Sequence, residues 1–242
     1  MTDTPAYPAT LRIGILVFKD FEPLDVWGFV EAFAISRFIG TGYGSPPPYP
    51  FEIVLISDEV KPANNARPPG SVKSLNGPSV APDLYRDEAL GQSFTLLMIP
   101  GGKGAFELLA NPDAAAVEAL LAWVRAMDKN VRLMTSVCTG AAVLARAGLL
   151  DGRRAATNHN AFADVTPFGP KVLWDNVARW VDDDHYVTSA GVSAGTDMAF
   201  HLVSRLAGRA VAETAAIGAE YDWRRDPDQP IFYPAQATVP TG

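Results

Sequence analysis

A single cysteine, Cys138, stands where an apolar run, Asn130 to Val137, gives way to a segment with helical spacing. The order Ser136-Val137-Cys138-Thr139-Gly140 puts small residues at Ser136 and Gly140, as a tight strand-to-helix turn requires. A thiol pushed out at such an elbow meets the free N–H groups of a helix start, whose partial positive charge favours the thiolate. The chemistry of that arrangement is nucleophilic attack of sulfur on an electrophilic carbon. The competing reading is a buried structural cysteine, because free cysteine is among the most buried residue types. The strand, elbow and helix context favours the reactive thiol.

Ile99-Pro100-Gly101-Gly102 ends the preceding apolar strand. In a parallel sheet its turn arrives at the same carboxyl edge as Cys138. Backbone N–H groups of Gly102 and Thr139 are then candidates to stabilise negative charge near the sulfur; on spacing alone, an ordinary tight turn explains the glycines equally. Gly101-Gly102-Lys103-Gly104 lacks the spacing of a phosphate loop. The histidines, His159, His185 and His201, are scattered and give no metal-ligand spacing with the lone cysteine, so no metal and no cofactor are expected. His185 sits in an acidic turn and reads as solvated, and His201 in an apolar helix reads as packed. Trp27 and Phe29 either wall an apolar pocket or pack a core, and helical spacing favours the core. Asp182, Asp183 and Asp184 read as a solvated turn.

The elements that must position these residues follow from periodicity. Apolar runs at 11–18, 51–57, 95–102 and 130–137 read as buried strands. Helical spacing covers 24–38, with Asp25 placed to cap the start, and 112–128, 138–150, 193–208 and 209–223. Residues 153–160 bring a short strand, and 178–191 a hairpin turning at the acidic triplet. Residues 40–50 are a loop, 58–93 loop with minor strands, and 224–242 a Pro-rich tail over the surface. Strands alternating with helices predict one α/β domain, a mostly parallel sheet covered on both faces.

Composition narrows the function. The 242 residues are 48% hydrophobic and 19% charged, with a net charge of −7 from 20 basic and 27 acidic side chains. Such a chain buries a core without disulfides and is a poor phosphate-backbone binder, so no nucleic acid is expected as partner. No apolar run reaches the roughly 18 residues of a membrane span, so no membrane partner is expected. The N-terminus lacks the features of a signal peptide. With one cysteine no internal disulfide is possible, and a cytoplasmic location is the default.

Several segments together resemble the ThiJ/PfpI superfamily: Ile99-Pro100-Gly101-Gly102, the Thr135 to Gly140 elbow, Leu144 to Gly152, Ala155-Ala156-Thr157-Asn158-His159, and Ala190 to Asp197. The resemblance spans about residues 11–222, and the Cys-Thr-Gly elbow is most similar to the isonitrile hydratase-like branch. It implies a flavodoxin-like three-layer α/β sandwich, a homodimer, and addition of water to an isonitrile to give an N-substituted formamide. It also implies that the catalytic cysteine is Cys138, its acidic partner Asp25 in Leu24-Asp25-Val26-Trp27-Gly28, and its threonine Thr139. A carboxyl group beside a thiolate is expected to titrate high, which suits Asp25 as a proton donor. His159 is implied to lie near the elbow, as an orienting or acid–base group or as a structural histidine. Phe29 stands where the family often has Pro, Asn160 where it often has Trp, and the 40–50 loop is an insertion. Peptidase-like and amidotransferase branches place His directly after the cysteine or use His-x-Glu; this chain has Thr139 and no His-x-Glu. Two other functions share the fold: a redox protein that oxidises Cys138 without turnover, and a non-enzymatic ligand-sensing module. The sensing modules are fused to helix-turn-helix segments in some relatives, and none is expected after residue 223.

Overall fold

The computed structural model describes residues 7–229 and 231, apart from 43, 46 and 65–67. The chain runs β1 (Leu11–Val17), α1 (Pro23–Ala34), β2 (Phe51–Ser57), β3 (Val72–Lys73), β4 (Ser79–Val80), β5 (Leu84–Tyr85), α2 (Arg86–Leu90), β6 (Leu96–Ile99) and α3 (Lys103–Leu109). It continues α4 (Ala114–Asp128), β7 (Leu133–Ser136), a 3-10 turn (Cys138–Gly140), α5 (Ala141–Arg146), β8 (Arg154–Ala156), α6 (Phe162–Val165) and a 3-10 turn (Thr166–Phe168). Strands β9 (Leu173–Asp175), β10 (Trp180–Asp183) and β11 (Tyr186–Ser189) precede α7 (Ser193–Ala207) and α8 (Arg209–Gly218).

Seven strands form the main sheet in the order β10-β11-β7-β6-β1-β2-β5. Every neighbouring pair is parallel except the β10–β11 hairpin at one edge. Central β1 carries Ile13, Ile15, Leu16 and Val17 fully buried, because a sheet covered on both faces has no wet side. Helices α1, α7 and α8 pack together, and α2, α3, α4 and α5 form a second group. This is the flavodoxin-like α/β arrangement. On α1, Val26, Phe29 and Phe33 face inward; Phe33 meets Phe29 at 5.0 Å and Phe51 edge-on at 4.9 Å.

The topology decides where a ligand can reach. From β1 the chain goes outward to β2 and β5, then returns to the other side of β1 as β6. The loops leaving β1 and β6 therefore diverge and open a crevice at the carboxyl edge. The loop after β7, neighbour of β6, opens onto it.

Some boundaries differ from the sequence reading. Helix α1 starts at Pro23 and stops at Ala34, not at 38, and Glu22 is its N-cap without a side-chain bond. Asp25 is thus the third helical residue and not the cap. Helix α3 begins directly after Gly102 and was hidden by the glycines at its start. Strand β8 pairs with β9 in a separate small sheet, and β3 pairs with β4 in another. The helix expected over 138–150 begins as a 3-10 turn and ends at Arg146, two residues before Gly148, whose φ is 79°. The helix expected to reach 223 ends at Gly218. Residues 230 and 232–242 of the Pro-rich tail lie outside the described residues.

Candidate active site

Cys138 follows β7 through Val137, which is still extended, and then adopts φ 58°. That left-handed conformation is unfavourable for a side chain other than glycine and sets up the sharp turn. The elbow nests against the loop leaving β6. A Cβ at Gly140 would lie 2.2 Å from the Ile99 carbonyl oxygen, and one at Gly101 would lie 2.5 Å from the Thr139 nitrogen. Only glycine permits either approach. The Cys138 N–H donates to the Ala190 carbonyl at 3.2 Å, and its carbonyl accepts the Thr157 hydroxyl at 2.9 Å. The nucleophile is thereby tied to the end of β11 and to the loop after β8.

Cys138 is 5% exposed. Its sulfur receives the Asn158 side-chain N–H, with Nδ2 at 3.2 Å, and the backbone N–H groups of Thr139 and Val192. Asp25 is 1% exposed; its Oδ2 accepts the Gly101 N–H at 2.7 Å. Its Oδ1 is buried with no hydrogen-bond partner among the described residues. The helix start thus turns one carboxyl oxygen to the β6 loop and leaves the other uncommitted.

Burial pushes Asp25 well above the usual carboxylate range; the Gly101 N–H opposes this and Glu22 adds to it. The direction matches the expectation, but the cause is burial rather than a neighbouring thiolate. Burial also pushes the Cys138 thiol up to about 12, the field of Asp25 adds to it, and the three N–H donors lower it only in part. The thiolate expected from the helix start is therefore corrected. A three-residue turn followed by a six-residue helix supplies a weak dipole, and desolvation of the sulfur outweighs it.

Thr139 joins the two loops: its Oγ1 accepts the Gly102 N–H at 3.0 Å and lies 3.3 Å from the Gly102 carbonyl. Gly102 has φ 103°, and a Cβ there would lie 2.5 Å from the Glu22 nitrogen. The Gly102 N–H is thus engaged by a hydroxyl, whereas those of Thr139 and Val192 face the sulfur. Val192 was not singled out by the sequence; it is the N-cap of α7, with φ 17° and ψ −74°.

His159 is not brought to the sulfur. Its ring meets the Ala178 backbone, with Asp175 and Arg179 nearby, and burial lowers its basicity. Asn158, one residue earlier, occupies the expected place, and Thr157 beside it also faces the elbow. Phe29 lies in the core, while Trp27 is 40% exposed. His185 is not simply solvated: Nε2 lies 2.8 Å from Asp128 and Nδ1 3.0 Å from the Arg132 carbonyl. His201 pairs with Asp182 at 2.6 Å, and Arg205 shares that carboxylate, so the acidic turn is partly neutralised. Among the described residues no three His, Cys, Asp or Glu side chains gather to hold a metal. No described helix is long and apolar enough to cross a membrane.

A cysteine on a left-handed elbow, facing a buried carboxyl across the loops of β1 and β6, defines a class of α/β protein. The chain belongs to the DJ-1/PfpI family, whose model matches residues 11–205. It is 30% identical to the isonitrile hydratase of Pseudomonas putida over 212 residues, 87% of this chain and 78% of that protein. It is 33% identical over 143 residues to the HTH-type transcriptional regulator CdhR of Pseudomonas aeruginosa, 59% of this chain and 40% of the regulator. A ThiJ/PfpI family protein from Pseudomonas syringae superposes with a TM-score of 0.71 at 24% identity, covering 92% of this chain and 79% of that one, a likeness of fold.

Proposed function

We propose that this chain is a cysteine-dependent hydratase that adds water to an isonitrile and releases an N-substituted formamide. The observation that carries this reading is the pair Cys138 and Asp25, both buried and both titrating high. An isonitrile must take a proton and a nucleophile at the same terminal carbon, so a thiol set beside a carboxyl that burial raises, with one carboxyl oxygen uncommitted, suits it. The group is also linear and slender and reaches a nearly buried sulfur end-on.

Asp25 delivers its proton to the terminal carbon as the sulfur bonds to that carbon, and the thiol proton passes to the Asp25 carboxylate. The product is a thioimidate, R–N=CH–S–Cys138. Asp25 then protonates the nitrogen while water adds to the carbon and returns a proton to Asp25. The tetrahedral adduct collapses, the C–S bond breaks, the sulfur regains its proton from the hydroxyl, and R–NH–CHO leaves. Overall one isonitrile and one water give one formamide, and both residues return to their starting state. The N–H groups of Thr139 and Val192 stabilise the charge that develops on the sulfur as the C–S bond forms and breaks.

The experiment is hydration of a simple aryl isonitrile, followed by formamide absorbance, with wild type and Cys138→Ala side by side. Turnover that vanishes in the variant supports the hydratase. A folded wild type without turnover overturns it and returns the site to sensing or redox work. The homodimer belongs to the same proposal and is read by light scattering.

A further inference from the structure

Asn158 supplies the one side-chain hydrogen bond to the Cys138 sulfur among the described residues. Its amide is held in one orientation. Oδ1 accepts the Ala161 N–H at 3.0 Å, so the NH2 end is the one that faces the sulfur. On its flank stands Gly191, where a Cβ would lie 2.6 Å from Nδ2. The loop after β8 and the loop into α7 thus close around a single amide position.

We infer that Asn158 is a further catalytic residue: a fixed donor that cannot titrate, orients the Cys138 sulfur and stabilises negative charge on it as the C–S bond forms and breaks. A hydrogen bond to a charged sulfur is roughly twice as strong as one to a neutral sulfur. Such a donor therefore gains most where charge develops, which is how an interaction raises turnover rather than binding. A carboxamide takes no proton, so the thiol proton has one ionisable destination. Asp25 on α1, with Glu22 beside it, is the titratable group whose field reaches the sulfur. His159 turns to Ala178 and Asp175, and Arg179 pairs with Asp197 of α7.

The inference rests on Cys138 as the reacting atom, and its test separates that from the choice of substrate. The rate of Cys138 alkylation by iodoacetamide is measured from pH 7 to 10 in wild type, Asn158→Asp and Gly191→Ala. Turnover of an aryl isonitrile is measured on the same samples, and thermal melts establish that each is folded. Asn158→Asp keeps the size and the Ala161 contact but replaces the donor with an acceptor. Gly191→Ala leaves the amide intact and crowds it off the sulfur. In this range the alkylation rate follows the thiolate fraction. Both variants should alkylate about tenfold or more slowly, with kcat down about 10- to 100-fold and KM within about threefold. Alkylation and kcat within twofold of wild type in both folded variants overturns the inference; should one variant not fold, the other decides. Slower alkylation in the variants, with no isonitrile turnover by the wild type, upholds Asn158 at the sulfur and refutes the hydratase.

Discussion

Replacing Asp25 with asparagine should make the thiol more acidic and the enzyme slower, two effects of opposite sign from one substitution. Burial raises the wild-type carboxyl well above its ordinary range, whereas an amide of the same shape cannot ionise at all and so places no charge beside the sulfur. The carbonyl of the new amide can keep the 2.7 Å bond from Gly101. Its NH2 takes the place of Oδ1, which already lacks a partner, and one unsatisfied buried donor costs about 1–3 kcal/mol. The fold should survive. At the sulfur the field of Asp25 disappears while burial, the larger cause, remains. Iodoacetamide should therefore alkylate Cys138 faster than in wild type across pH 7 to 10. Turnover should nevertheless fall by about 10²–10⁴, the usual share of a positioned acid–base group, which is about 3–5 kcal/mol of barrier. The same substitution tests the linkage. A carboxyl raised in the folded state stabilises below its unfolded value of 3.8, and that contribution is lost as pH rises through the folded value. Relative to Asp25→Asn, wild type should thus lose Tm as pH climbs above 3.8. Full turnover by the variant removes Asp25 from the mechanism, and slower alkylation refutes the electrostatic account.

Cys138 predicts an alkaline signature. Its thiol is raised from 9.0 to about 12, so the folded protein keeps a proton that the unfolded chain gives up. Stability should fall between those values, and Cys138→Ala should flatten that slope in pH-dependent melts. Thr139→Val removes the acceptor of the Gly102 N–H and should cost about 1–3 kcal/mol in urea unfolding, with Thr139→Ser restoring most of it. Gly140→Ala forces a Cβ to 2.2 Å from backbone, which cannot give as a side chain would. A loss of about 1–3 kcal/mol or more, together with loss of thiol reactivity, is the expected result, and a wild-type melt speaks against the nested elbow.

Much of this architecture is legible in the residues. The apolar runs that form β1, β2, β6 and β7 are continuous because both faces of the sheet are covered, and their periodicity survives any neighbour. The elbow is legible because Gly140 and Cys138 have local causes. What stays hidden depends on contacts distant in sequence. That Asn158 and not His159 meets the sulfur is set by how the loop after β8 leaves its own small sheet, which no spacing rule reads. Asp25 resembles a cap because it precedes an apolar stripe, yet Pro23 starts the helix two residues earlier and frees the carboxyl for Gly101. The direction of the thiol shift is not readable from a motif either. The elbow motif records the N–H groups; the burial that outweighs them comes from the folded whole.

The left-handed backbone at Cys138 has a consequence for which substitutions the chain tolerates. Glycine at this position would relieve strain of about 1–3 kcal/mol. Against that stand about 0.5–1 kcal/mol of extra chain entropy and the lost burial of one small side chain. The two sides nearly cancel, so folding is close to indifferent between cysteine and glycine here. A library selected only for solubility and heat resistance should accumulate the Cys138→Gly substitution, whereas one selected for turnover should not. The frequency of glycine at this one position then reports whether a population of such chains is still being used as catalysts or merely kept as folded protein.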